Sequence, residues 1–250
     1  MYERGAVMTS VFASIPPQER IIVALDCGRD EAMRLAEVLR GRAKWVKVGM
    51  TLYYACGPSI VAAFKQRGYK VFLDLKLHDI PFQIEGAAKN AALTGADMIT
   101  MHTLGGQAML EAAQRGVASA AKERGDGALA VTLGITVLTS MDGDALSQIG
   151  IERTPAEQVK LLAGVAKSAG ISGVVASPQE ASALREMLGP QAYIVTPGVR
   201  PAGAEAGDQS RIATPAQAFA NGASHIVIGR PVTRADDPAA AFDAIVAELQ

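Results

Sequence analysis

Residues 71–77 read Val71-Phe72-Leu73-Asp74-Leu75-Lys76-Leu77, and their alternation decides the fold. Successive side chains of a β-strand point to opposite faces. Val71, Leu73, Leu75 and Leu77 therefore share one face, while Phe72, Asp74 and Lys76 share the other. In a barrel strand the outward residues pack beneath helices and are apolar. The inward residues fill the interior, and the last of them open onto the rim. Asp74 and Lys76 then project inward at the C-terminal end of the strand.

The segments on either side keep the same grammar. Short β-branched runs recur at Arg20–Asp26, Trp45–Gly49, Lys70–Leu75, Met98–His102, Ala128–Leu133, Gly173–Ala176, Tyr193–Thr196 and His225–Ile228, giving eight candidate strands. Between them lie stretches of helical periodicity, among them Glu31–Arg40, Pro58–Arg67, Ile84–Thr94, Ala108–Glu123, Thr154–Ser168, Pro178–Leu188 and Pro215–Asn221. Gly68, Gly95, Gly125, Gly170, Gly189 and Gly222 fall just past helix ends, where a left-handed cap suits glycine. Strict βα alternation predicts a parallel sheet with helices outside. Eight units in 250 residues predict closure into a single-domain α/β fold, the (β/α)8 TIM barrel. A G-x-G-x-x-G after the first strand would favour an open doubly wound sheet; it is absent, and so is a P-loop. Residues 20–250 form the expected barrel, and residues 1–19 a tail or short first element, with Met8 an alternative start. The loops Gly134–Arg153 and Gly198–Ala213 are longer than their neighbours, as functional βα loops at the rim often are.

Composition narrows the function classes. The formal net charge is −1 and Lys and Arg are scattered, which argues against a nucleic-acid partner. No apolar run reaches the ~18 residues of a membrane span, and the stretch Val11–Ile15, ended by Pro16-Pro17, is short for a signal peptide. Cys27 and Cys56 are too few for a disulfide framework and lack metal-type spacing. Reduced thiols in a cytoplasmic enzyme are the expectation.

The first two strands repeat the placement of charge. Asp26 is the first charge after the apolar run Ile21–Leu25, and Lys47 sits between Val46 and Val48. Asp26, Lys47, Asp74 and Lys76 then converge on one rim, paired as buried charges must be. A structural ion network plugging the barrel is the alternative, although barrel interiors are usually filled with branched aliphatics. The seventh strand ends in Thr196-Pro197-Gly198-Val199-Arg200 and the eighth in Ile228-Gly229-Arg230-Pro231. The rim after these strands is the common phosphate site of the fold. There Arg230 adds a bidentate cation, and Gln209 a neutral donor from the long loop. Arg200 as a surface arginine and Gly229-Arg230 as an ordinary turn are the alternatives. His78, His102 and His225 have no metal-ligand spacing, although carboxylates and substrate oxygens alone suffice for Mg²⁺. His225 begins a strand far from the rim and reads as structural; His78 reads as a supporting residue.

The run Asp74-Leu75-Lys76-Leu77-His78-Asp79-Ile80-Pro81 resembles the D-x-K-x-x-D signature of the orotidine 5′-phosphate decarboxylases in their bacterial form. The resemblance covers almost the whole chain from about Arg20. It includes Ala24-Leu25-Asp26, Val46-Lys47-Val48-Gly49-Met50, Gly57-Pro58-Ser59-Ile60, Leu138-Thr139-Ser140, Val195 to Arg200, Asp208-Gln209 and Ile228-Gly229-Arg230. It implies a cofactor-independent decarboxylation of orotidine 5′-monophosphate. Asp26 and Lys47 would bind the ribose, and Asp74 would face the substrate carboxylate. Lys76 would be the proton donor, and Thr139 would contact the pyrimidine. Arg200, Gln209, Gly229 and Arg230 would hold the phosphate. Asp79 would complete the site of a second subunit, making the active form a homodimer. The signature alone also fits metal-dependent sugar-phosphate decarboxylases and aldolases of the same barrel group. The extension through His78-Asp79-Ile80-Pro81 favours the nucleotide enzyme.

Overall fold

In the computed structural model, which describes residues 10–201 and 213–249, eight parallel strands close into a barrel. They are β1 (Ile21–Ala24), β2 (Trp45–Gly49), β3 (Lys70–Leu77), β4 (Met98–His102), β5 (Val131–Ile135), β6 (Gly173–Val175), β7 (Tyr193–Thr196) and β8 (His225–Ile228). Neighbours in sequence pair, and β8 returns to pair with β1. The fold is the expected (β/α)8 barrel.

Two apolar clusters follow from the alternation. Ile21, Val23, Val46, Val48, Val71 and Leu73 point outward into the main core beneath the helices. Ile22, Ala24, Trp45, Phe72, Met98, Leu133, Val195 and Val227 point inward and fill the barrel. The six glycines expected after helices all have positive φ, from 72° at Gly125 to 96° at Gly222. Helices Pro155–Ser168 and Pro215–Ala220 begin with capping boxes from Thr154 with Glu157 and from Thr214 with Gln217.

The fifth strand begins and ends later than its expected range Ala128–Leu133 and includes Gly134. That glycine is present for packing rather than turning: a Cβ there would stand 2.6 Å from Thr103 Cγ2 and 3.3 Å from Ala166 Cβ. The long loop after β5 carries a short helix, Gly143–Gln148, capped by Asp142. A C-terminal helix, Pro238–Ala247, starts at Asp237, whose carboxylate accepts from the amides of Ala239 and Ala240. Residues 10–19 supply a short first element. Phe12, in the turn Val11–Ser14, packs on the Tyr193 ring at 4.7 Å and the His225 ring at 5.8 Å, beneath the barrel. Cys27 and Cys56 carry free thiols. Among the described residues no helix is long and apolar enough to cross a membrane.

Candidate active site

Asp26, Lys47, Asp74 and Lys76 do meet at the C-terminal rim. Lys47 Nζ lies 2.8 Å from Asp26 Oδ1 and 3.6 Å from Asp74 Oδ2, and Lys76 Nζ lies 2.9 Å from the same Asp74 oxygen. The side chains of Lys47 and Asp74 are each only 11% exposed, so these charges interact where water screens them poorly. Burial opposes ionisation of Asp74. The ammoniums of Lys47 and Lys76, with hydrogen bonds from Lys76 and Thr100, outweigh that and hold its carboxyl below the ordinary value.

Two backbone features let the charges converge. Gly49 lies beside the Asp26–Lys47 pair, and a Cβ there would stand 2.7 Å from Asp26 Oδ1 and 2.9 Å from Lys47 Nζ. Lys76 has φ 51°, the one positive-φ residue other than glycine among those described. Pairing of β3 with β4 slips here, since Leu73 faces Ile99 but Leu77 faces Met101. Four residues on β3 thus span two on β4. The bulge frees the Lys76 amide from the ladder, while its side chain still lines the cavity.

These charges form one wall of a cavity of about 680 Å³. Pro197, Gly198, Arg200, Gly229 and Arg230 line another part of it, with Thr139 and Ser140 between β5 and the Gly143–Gln148 helix. The cavity therefore pairs an Asp/Lys cluster with an arginine- and glycine-lined region. Arg200 is buried; its guanidinium donates to Val199 O at 2.9 Å, and its backbone N–H to Ala213 O at 3.0 Å. Gln209 lies outside the described residues. Asp79 is exposed, accepts the Ile80 amide at 2.6 Å and does not line the cavity of its own chain.

Thr100, Arg234, Cys27 and His102 carry no sequence signal for the site. Thr100 on β4 is 1% exposed and bonded to both Asp74 and the Lys76 backbone. Arg234 and Cys27 line the cavity. His102 stacks on His78 at 5.2 Å between ring centroids, and burial, with His78 and Lys76 nearby, lowers its pKa to about 4. His225 is buried under the barrel against Trp45, as its position predicts.

Such a cavity suits a substrate with an anionic group at one end and a centre at the other where negative charge develops. The fold and site define a (β/α)8-barrel enzyme acting on a small anionic molecule. A family model described as "Orotidine 5'-phosphate decarboxylase / HUMPS family" matches residues 19–245. An orotidine 5′-phosphate decarboxylase of Halorhodospira halophila is 49% identical over 237 residues, covering 94% of this chain and 98% of the relative. The Moorella thermoacetica enzyme of that name is 48% identical, covering 93% of each chain. The crystal structure of the Lactobacillus acidophilus enzyme of that name superposes with a TM-score of 0.81 at 38% identity, covering 93% of this chain and 99% of that one. The chain belongs to the orotidine 5′-phosphate decarboxylase/HUMPS family, and it is a decarboxylase.

Proposed function

We propose that the protein converts orotidine 5′-monophosphate to uridine 5′-monophosphate in pyrimidine biosynthesis, without a cofactor. The observation that carries this reading is the Asp26–Lys47–Asp74–Lys76 ladder in a cavity also lined by Arg200 and Arg230. Cleavage of the bond between C6 and the carboxyl carbon releases CO₂. The electron pair stays on C6, in the plane of the ring, where the carbonyls cannot delocalise it. Stabilisation must come from a charge already in place. The Lys76 ammonium supplies it and then delivers its proton to C6. The Asp74 carboxylate, beside the departing carboxylate, adds a repulsion that eases as CO₂ leaves.

Asp26 and Lys47 hold the ribose hydroxyls and Thr139 contacts the pyrimidine. Arg200, Gln209, Gly229 and Arg230 hold the phosphate. Binding energy from that remote group assembles the reacting end. Residues 20–250 act as one catalytic domain, in the cytoplasm.

The active unit is a homodimer in which Asp79 enters the site of the other chain. Support comes from the surface around it. Ile80 (63% exposed), Phe82 (83%) and Tyr54 (77%) stand with Met50 and Leu104 on the segments following β2, β3 and β4. Exposed apolar side chains on consecutive βα segments suit an association surface.

The test is the absorbance change on adding orotidine 5′-monophosphate in EDTA. Turnover unaffected by the chelator is expected. Absence of turnover refutes the reading, and turnover abolished by EDTA points to the metal-dependent branch of the barrel group.

A further inference from the structure

Thr100 occupies an inward position of β4, where its neighbour Met98 is part of the apolar filling of the barrel. Its hydroxyl nevertheless makes two hydrogen bonds with β3. Lys76 N donates to Thr100 Oγ1 at 2.8 Å, and Thr100 Oγ1 donates to Asp74 Oδ1 at 3.0 Å. The direction of each bond is fixed by chemistry. The amide can only donate and the ionised carboxylate can only accept, so the hydroxyl proton lies on the Asp74 side. One buried hydroxyl thus links the backbone of one charged residue to the side chain of the other.

The bonds fall where the sheet fails to supply them. The slip between Leu73↔Ile99 and Leu77↔Met101 removes the Lys76 amide from regular pairing, and Lys76 adopts φ 51°. A left-handed lysine is disfavoured and persists where its surroundings determine it. The amide is satisfied by Thr100 instead of by a strand. The other Asp74 oxygen, Oδ2, faces both ammoniums, at 2.9 Å from Lys76 and 3.6 Å from Lys47. Anchoring Oδ1 therefore fixes which way Oδ2 is presented.

We infer that Thr100 is a positioning residue for decarboxylation: its hydroxyl holds the Lys76 bulge and the Asp74 carboxylate in one geometry. The inference rests on the function proposed above. Thr100 does not face the reacting atoms as a donor of its own, because its single proton is committed to Asp74.

The experiment compares wild type with Thr100→Val, which keeps the shape and removes the hydroxyl, and Thr100→Ser, which keeps the hydroxyl. Each is assayed with orotidine 5′-monophosphate, and each is crystallised. Loss of a hydrogen bond to a charged group predicts a kcat for Thr100→Val lower by about tenfold to a hundredfold. KM should change by less than about threefold, since the ribose and phosphate contacts are untouched. In the Thr100→Val crystal, Lys76 should leave the left-handed region or the Asp74 carboxylate should rotate away from the ammonium. Thr100→Ser should restore both kcat and geometry. A Thr100→Val kcat within about twofold of wild type, or a Thr100→Ser variant no better than Thr100→Val, overturns the inference. If wild type itself fails to turn over the nucleotide, the functional reading falls, and the crystals decide the inference alone. A Thr100→Val structure with Lys76 still left-handed and still on Asp74 refutes it.

Discussion

Lys47 and Lys76, from neighbouring strands, share one carboxylate oxygen: Asp74 Oδ2 lies 3.6 Å from the first ammonium and 2.9 Å from the second. Two cations brought this close in a buried site are tolerable because the anion lies between them. Asp74→Asn keeps the size of the side chain and removes that charge. Breaking a buried ion network from one side costs about 3 kcal/mol. A lower urea midpoint at pH 7.5, together with loss of turnover, is the expected outcome. A variant as stable as wild type would show that solvent already compensates the lysines.

Gly49→Ala separates fold from site. The added methyl would sit 2.7 Å from Asp26 Oδ1 and 2.9 Å from Lys47 Nζ, both mobile ends of long or polar side chains. Gly49 has φ −89°, which alanine adopts without strain. The fold should therefore survive, with stability changed by less than about 1 kcal/mol, while the displaced Asp26–Lys47 pair should lose the grip on the ribose proposed for it. KM is expected to rise by about tenfold, the equivalent of 1.4 kcal/mol. An unchanged KM would remove the pair from substrate binding.

The barrel floor gives a pH dependence. Burial, with Arg20 and Lys70 nearby, lowers the His225 pKa from 6.5 to about 3. Below pH 6.5 the unfolded chain takes up a proton that the folded protein refuses until about pH 3. The unfolded state therefore binds more protons across this window, so stability is fully present above it and declines as pH falls through it. The limiting slope is about 1.4 kcal/mol per pH unit for one site. Urea midpoints between pH 7 and pH 5 should fall more steeply for wild type than for His225→Gln. Parallel slopes would contradict the assignment.

Asp79 makes the shared site testable by mixing. Asp79 is exposed and does not line the cavity of its own chain, and in the proposed dimer it completes the site of the other chain. Inactive Asp79→Ala and inactive Lys76→Ala subunits, mixed and allowed to exchange, should regain activity, because some hybrids hold one site with both residues. No recovery after confirmed exchange would count against the arrangement.

The barrel is legible in the sequence because short β-branched runs alternate strictly with helical stretches, several of which end at a glycine. The inward placement of Asp74 and Lys76 follows from the period-two count and survives even the bulge. What the count does not reveal is the bulge itself. A run of seven alternating residues is written identically whether or not its partner strand keeps register, and the slip of β3 against β4 depends on both. Thr100 was hidden for that reason: a threonine in a strand is ordinary until the neighbouring amide loses its partner. Gly134 misled in the opposite sense, marking a close approach inside β5 rather than its end. The arginines after β7 and β8 were legible from the fold's phosphate rim, whereas Arg234 lies one helical turn past the Gly-Arg pair and carries no motif.

The most direct test of the central claim is turnover by Lys76→Ala alongside its affinity for uridine 5′-monophosphate. With Lys76 proposed to stabilise the carbanion and deliver the proton, and other residues to bind the ligand, Lys76→Ala should lose at least about a thousandfold in turnover, with product affinity within about fivefold of wild type. Turnover within about tenfold of wild type, some 1.4 kcal/mol of barrier, would contradict that role for Lys76.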